Sequence, residues 1–258
     1  MLKYFLKFLL ASKNEHSLHS PFVFDLYTKI VKDKKQLPIY TKIENLRKKL
    51  LKNRSIIEIT DFGAGSQIYK TNQREIRQIA KSAEKAPRFG KLLFRLIQHF
   101  KPKTIFDLGT SLGITTLYES KAYEQGQVCT FEGCPATAKI AKENFKALDC
   151  DNIEIIVGNL DETLSKKLAE IDQLDFVFFD ANHRYEPTVR YFEMCLSKAT
   201  EESVFVFDDI HWSDEMHEAW KYISKHPSVM ISIDLFFVGL VFFRKNQPKQ
   251  HFVLRFLL

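Results

Sequence analysis

The sequence predicts an α/β protein with a doubly wound, mostly parallel seven-stranded sheet, an antiparallel last strand and an N-terminal helical extension. Three observations predict it. From residue 104 onward, short apolar runs alternate with helix-like segments. The runs are apolar nearly throughout, as strands covered on both faces must be. The last two runs, VMISIDLFF and GLVFFRKN, lie close enough in the chain to pair antiparallel. The 258 residues, 45% of them hydrophobic, suit one large domain with an extension. The expected division is a basic, mostly helical extension over 1–87 and a sheet domain over 88–258.

The N-terminus, MLKYFLKFLLASKNEHS, is interrupted by Lys7 and is followed by no small-x-small cleavage site. It reads as an amphipathic helix that docks on the body, with contact to a membrane surface as the alternative. In HSPFVFDLYTKIV, Ser20 is placed to cap a helix and Pro21 to open it, where no N–H is needed. PRFGKLLFRLIQHF has apolar residues at 89, 92, 93, 96, 97 and 100, which is helix spacing with one buried face. The strands then follow as TIFDLG, QVCTFEG, IEIIVGN, LDFVFFDA and SVFVFDD. Segments such as PATAKIAKENFKAL and EPTVRYFEMCLSKA form helices between them. In such a sheet, ligands bind beyond the C-terminal ends of the strands.

Two glycine turns compete for that role: TDFGAGSQ (60–67) and FDLGTSLGITT (106–116). A nucleoside site needs a strand, a glycine turn opening a helix, and a second strand ending in an acid about 20 residues on. The second turn meets all three, with Glu132 nineteen positions beyond Gly113. The first is followed by helical segments, and Lys85 stands where the acid belongs. It is left as a connecting turn, or as a lid hinged at Gly63 and Gly65 that brings Asp61 or Ser66 over the substrate. The GTSLG spacing is looser than the GxGxxG of dinucleotide sites and lacks their helix-opening glycine. It suits a ligand with a ribose and an amino-acid tail but no phosphates, and S-adenosylmethionine is such a ligand.

No run approaches the ~18 to 20 unbroken apolar residues of a membrane span. Cys129, Cys134, Cys150 and Cys195 form no CxxC pair. They read as free thiols of a cytoplasmic protein and point away from zinc. The formal net charge of +6 conceals an asymmetry. Residues 1–103 hold 23 Lys and Arg against 8 Asp and Glu, and residues 104–258 hold 15 against 24. The positive charges are dispersed, as on solvated helix faces, although an anionic partner stays open.

On FDLGTSLGITT, FVFFDANHRYE and VFVFDDIHWSDEM, the chain resembles the class I S-adenosylmethionine-dependent methyltransferases, with their Rossmann-like sheet. Within these it is similar to the catechol O-methyltransferase-like and macrocin-type enzymes, over about residues 88–245. The resemblance implies that Asp107, Gly109, Thr110, Gly113 and Thr115 form the cofactor turn. It implies that Glu132 binds the ribose and that Asn159 lies near the adenine. It also implies a divalent cation, Mg²⁺ or Ca²⁺, on Asp180, Asp208 and Asp209, with Asp209 where the family usually has Asn. His183 falls where some members place the base that takes the substrate proton.

Carboxylates delivered to one end of a sheet repel, and a hard cation relieves that. Imidazoles titrate near neutrality, which suits a base. Asp180 and His183 are therefore the expected catalytic residues, acting on a small-molecule hydroxyl. His211 is a second candidate base, and Trp212 reads equally as core or as substrate platform. An RNA methyltransferase drawn in by the basic half is one alternative. It lacks support from any Asn/Asp-Pro-Pro-aromatic motif or Pro-Cys dipeptide, so nucleic acid is not the expected partner. A non-catalytic S-adenosylmethionine-binding module is the other alternative, and monomer and homodimer both stay open.

Overall fold

The computed structural model describes residues 1–60, 72–82 and 86–256. Among these residues the main sheet has eight strands and is mostly parallel, the Rossmann-like α/β architecture expected from the alternating runs. The chain forms two compact units: residues 34–167, and residues 1–33 together with those from 168 onward. This division cuts across the 87/88 boundary drawn from the sequence, because the first helix packs with C-terminal strands.

That helix is α1 (Leu2–Ala11). Its Tyr4 and Phe8 are buried against Phe236, with Phe237 and Val253 beside them. The Tyr4 hydroxyl donates to Asp214 at 2.5 Å, which pushes its pKa up to about 12. Helix α2 (Pro21–Leu26) opens as expected, with Ser20 capping the Val23 N–H and Pro21 in the first position. A π-helical turn, Tyr27–Val31, continues it.

In the 34–167 unit, α3 (Pro38–Leu50) is followed by an antiparallel ribbon of β1 (Ile56–Glu58) and β2 (Gln73–Glu75). Helices α4 (Ile76–Ser82) and α5 (Pro87–Phe100) come next. The predicted face of α5 is buried through Phe89, Leu92, Leu93, Leu96 and Ile97. Strand β3 (Thr104–Leu108), α6 (Ile114–Ala122), β4 (Gln127–Glu132), α7 (Pro135–Ala147), β5 (Ile153–Val157) and the start of α8 (Leu160–Ala169) complete the unit. Strands β3, β4 and β5 are parallel neighbours in that order. The core beside them joins Tyr40, Phe94, Leu117, Tyr118 and Phe145. Asp61, Gly63, Gly65 and Ser66 of the first glycine turn lie outside the described residues.

The other unit continues with β6 (Leu174–Phe179), α9 (Tyr185–Leu196), β7 (Ala199–Asp208), α10 (Asp214–Lys225), β8 (Ile231–Asp234), β9 (Val238–Phe242) and β10 (Gln250–Val253). Its strand order is β10-β8-β9-β7-β6. Strand β9 runs against β7 and β8, and the remaining pairings are parallel. The antiparallel strand was expected, but the count of seven strands is corrected to eight. The additional strand, β10, has four residues in a polar, charged stretch, too short to show a period-2 pattern. Among the described residues no helix is long and apolar enough to cross a membrane. All four cysteines are free thiols.

Candidate active site

The second glycine turn leaves β3 through three left-handed residues: Gly109 (φ 131), Ser111 (φ 49) and Gly113 (φ 82). Glycine is required at 113 twice over. Its φ disfavours a side chain, and a Cβ there would stand 2.4 Å from the Phe145 ring. The turn is tied down from several sides. The Thr110 N–H donates to the Phe131 carbonyl at 3.0 Å, and the Thr110 and Thr130 hydroxyls are 2.6 Å apart. Asn144 donates to the Leu112 carbonyl at 2.8 Å.

Asp107 is fully buried beneath the turn. Its Oδ2 accepts from Thr116 Oγ1 at 2.5 Å and from Thr130 Oγ1 at 2.9 Å, so it braces the turn against α6 and β4. Thr115 lies buried in the first turn of α6. Glu132, the last residue of β4, accepts the Ser111 N–H on Oε2 and the Cys134 N–H on Oε1, each at 2.8 Å. Asn159 caps α8, its Oδ1 accepting from the Asp161 N–H at 3.1 Å. The Ser111 Oγ is buried and has no hydrogen-bond partner among the described residues. A buried hydroxyl left so costs about 1–3 kcal/mol, and a polar ligand in the turn relieves that cost. The residues present therefore fit a hydroxyl- and amine-bearing cofactor. Ser111 was not singled out in the sequence, where its signal was only a small polar residue between two glycines.

The ends of β6 and β7 carry the second group. Asp180 follows β6, and Asp208 closes β7, 2% exposed. His183 Nε2 stands 3.3 Å from Asp180 Oδ1. One ligand atom each from Asp180, His183 and Asp208 lies within 4.8 Å of the others. Asn182 (φ 67), His183 (φ 39) and Asp209 (φ 51) all hold left-handed backbone, a strained conformation that these residue types adopt more readily than others outside glycine. Such strain collects where function demands a particular geometry. Two carboxylates suit a hard divalent cation such as Mg²⁺ or Ca²⁺, whereas an imidazole as third donor favours a transition metal. Asp209, expected as the third ligand, stands outside this group, and His183, expected as the base, stands inside it.

His211 is committed elsewhere. Its Nε2 is 2.7 Å from Asp234 Oδ2 in a buried pair, and its Nδ1 is 3.0 Å from Nδ1 of the half-buried His217. Trp212 is 60% exposed and so forms no part of the core.

A family model described as a methyltransferase domain matches residues 106–210. This stretch contains the glycine turn, Glu132, Asn159, Asp180, His183, Asp208 and Asp209. Over these residues the chain is similar to a methyltransferase domain. The domain is similar in fold to the O-methyltransferase from Bacillus cereus solved in complex with S-adenosylhomocysteine, with TM-score 0.57 and 18% identity over 85% of this chain and 97% of that one. It is likewise similar to the Streptomyces achromogenes O-methyltransferase involved in tomaymycin synthesis, solved with S-adenosylmethionine, with TM-score 0.58 and 15% identity over 86% and 94%. In sequence it is 28% identical over 128 residues to the catechol O-methyltransferase of Niastella koreensis, 48% of this chain and 57% of that protein. It is 32% identical over 78 residues to the transmembrane O-methyltransferase of Macaca mulatta, 29% of this chain and 26% of that protein. The chain thus spans less than two thirds of the length of the curated relatives it matches.

Proposed function

We propose that this methyltransferase domain moves a methyl group from S-adenosylmethionine to a hydroxyl of a small molecule, with a divalent cation, Mg²⁺ or Ca²⁺, at Asp180, Asp208 and His183. The observation that carries the reading is the gathering of those three side chains at strand ends of a methyltransferase fold. S-adenosylmethionine supplies an electrophilic methyl on a sulfonium. The Ser111 hydroxyl and the braced Glu132 carboxylate bind its polar groups, Glu132 as an acceptor for the ribose hydroxyls. Gly109, Thr110 and Gly113 let the backbone approach the amino-acid tail, with Thr115 close by, and Asn159 sits toward the adenine. Asp107 positions the turn without touching the ligand.

A cation at the second group supplies positive charge that makes a hydroxyl easier to deprotonate. Asp180 and Asp208 hold it, and His183 completes the group or receives the hydroxyl proton. Asp209, the third ligand by resemblance, is replaced in this reading. Most of the rate gain comes from holding the acceptor oxygen in line with the methyl. We place the protein in the cytoplasm, in keeping with its free thiols, and treat 1–87 as an extension to the methyltransferase domain.

The test is calorimetry with S-adenosylmethionine, followed by transfer of labelled methyl to a panel of catechols, phenols and sugars. The Niastella koreensis relative makes catechol the first acceptor to try. Absence of cofactor binding with and without Mg²⁺ sinks the enzyme reading. Turnover unchanged by EDTA sinks the cation alone. Methylation of RNA in preference to every small acceptor moves the reading to the nucleic-acid alternative.

A further inference from the structure

Helix α1 has two apolar faces, and the fold uses one. Tyr4 and Phe8 are 8% and 4% exposed, and they pack on Phe236. Leu2, Leu6 and Leu10 are 72%, 56% and 90% exposed, with Met1 and Leu9 also open to solvent. Positions 2, 6, 9 and 10 follow i, i+4, i+7 and i+8, so the exposed leucines form one stripe. Lys3 and Lys7 are exposed alongside it, and no acidic residue occurs before Glu15.

We propose that the outer face of α1 lies on an anionic lipid surface, held to the body by its inner face. A leucine stripe edged by lysines is the pattern of a helix in the membrane interface, with its apolar side about 5–10 Å into the headgroup boundary. The charge is complementary to acidic headgroups, with every ionised side chain on the helix positive. A second copy of the chain is the poorer occupant. Ten residues make a helix about 15 Å long and about 10 Å wide, far short of the roughly 800 Å² per partner of a stable interface. Pairing two such faces also sets lysine against lysine. The inner face explains how the leucines stay presented. The Tyr4–Asp214 hydrogen bond and the Phe8–Phe236 contact anchor α1 to the folded unit, so the stripe cannot simply turn inward. This surface is separate from the methyl-transfer residues and stands or falls apart from them.

The test floats the full-length protein with vesicles of phosphatidylcholine alone or mixed equally with phosphatidylglycerol, at low and high salt. The wild type should float with the anionic vesicles and release as salt rises. Leu6→Ser with Leu10→Ser should lower partitioning about tenfold or more per leucine. Lys3→Gln with Lys7→Gln should lower it about thirtyfold at low salt. Both pairs are exposed, so circular dichroism and melting should match the wild type; Leu10→Ser alone serves if the double variant melts early. The proposal is overturned if the wild type does not float, if it floats equally with neutral vesicles, or if the leucine variants float undiminished. It is also overturned if the leucine variants turn a dimer into a monomer in light scattering while the wild type ignores vesicles, which gives the face to a second copy.

Discussion

The Glu132 carboxylate accepts the backbone N–H of Ser111 at 2.8 Å, and its other oxygen accepts the N–H of Cys134 at the same distance. One side chain therefore fixes both the glycine turn after β3 and the entry to α7. Glutamine at 132 can accept only one of these bonds, since its amide nitrogen has no lone pair to offer. A hydrogen bond to a charged group contributes about 1.5–3 kcal/mol. Glu132→Gln should lower the unfolding free energy by that order and weaken S-adenosylhomocysteine binding by tenfold or more in calorimetry. Unchanged affinity would remove Glu132 from the cofactor site.

Ser111 makes the opposite prediction for stability. Its buried hydroxyl has no partner among the described residues, so Ser111→Ala removes a desolvated polar group without breaking any hydrogen bond they make. The variant should melt at the wild-type temperature or slightly above. Cofactor affinity should nevertheless fall, by a factor of about 2–10 for a neutral hydrogen bond. A variant that melts lower and binds normally would show that the hydroxyl serves the fold.

The Thr116 hydroxyl donates to Asp107 at 2.5 Å in a site closed to solvent. Thr116→Val keeps the shape and removes the donor. Chemical denaturation should show a loss of about 1.5–3 kcal/mol. Turnover at saturating substrate should change little, because Asp107 acts through the turn. A large drop in kcat with normal stability would place the pair closer to the chemistry.

The sheet was legible because each of strands β3 to β9 is a dense apolar run bounded by polar residues, and burial on both faces demands that pattern. The glycine turn was legible because Gly109 and Gly113 occupy backbone that other residues avoid. Ser111, which shares that backbone at φ 49, carries no such compositional mark. The exchange of Asp209 for His183 in the acidic group has a similar cause. Asp209 was expected from its place in the family's motif, whereas the left-handed pair Asn182 and His183 folds the loop after β6 so that the imidazole meets Asp180. The two faces of α1 were visible as amphipathicity, but which face docks depended on Phe236, more than 200 residues away.

His217 and His251 set a pH dependence of stability. Burial holds the His217 pKa below its ordinary value, and the neighbouring His211 adds to this. Burial likewise lowers that of His251. Both bind protons less readily folded than unfolded, where an imidazole titrates at about 6.5. The stability they contribute is complete above that pH and is lost as pH falls through it toward the folded values. Asp214 and Glu218, whose pKa values are also lowered, lose their share only near ~4 and below. Urea midpoints should therefore fall between pH 7.5 and 5.5, and His217→Asn with His251→Asn should flatten the slope. A midpoint constant across that window in the wild type would contradict the lowered pKa values of both rings.

The group at Asp180, His183 and Asp208 separates two ligand sets by experiment. A cation that binds only the folded protein stabilises it by about 2.7 kcal/mol at a hundredfold excess over its Kd. For a chain of this size, that is roughly a 5–10 °C rise in melting temperature. The wild type should show such a rise on adding Mg²⁺ or Ca²⁺. Asp208→Asn should abolish it, because the buried carboxylate is the least replaceable donor. The same change removes one of two carboxylates held close together, so the metal-free variant should melt no lower than the wild type. His183→Ala should reduce the rise if the imidazole is a ligand, while Asp209→Asn should retain it, since Asp209 stands outside the gathered atoms. The reverse pattern, with Asp209 required and His183 dispensable for cation binding, would restore the ligand set expected from the sequence and leave His183 as the base.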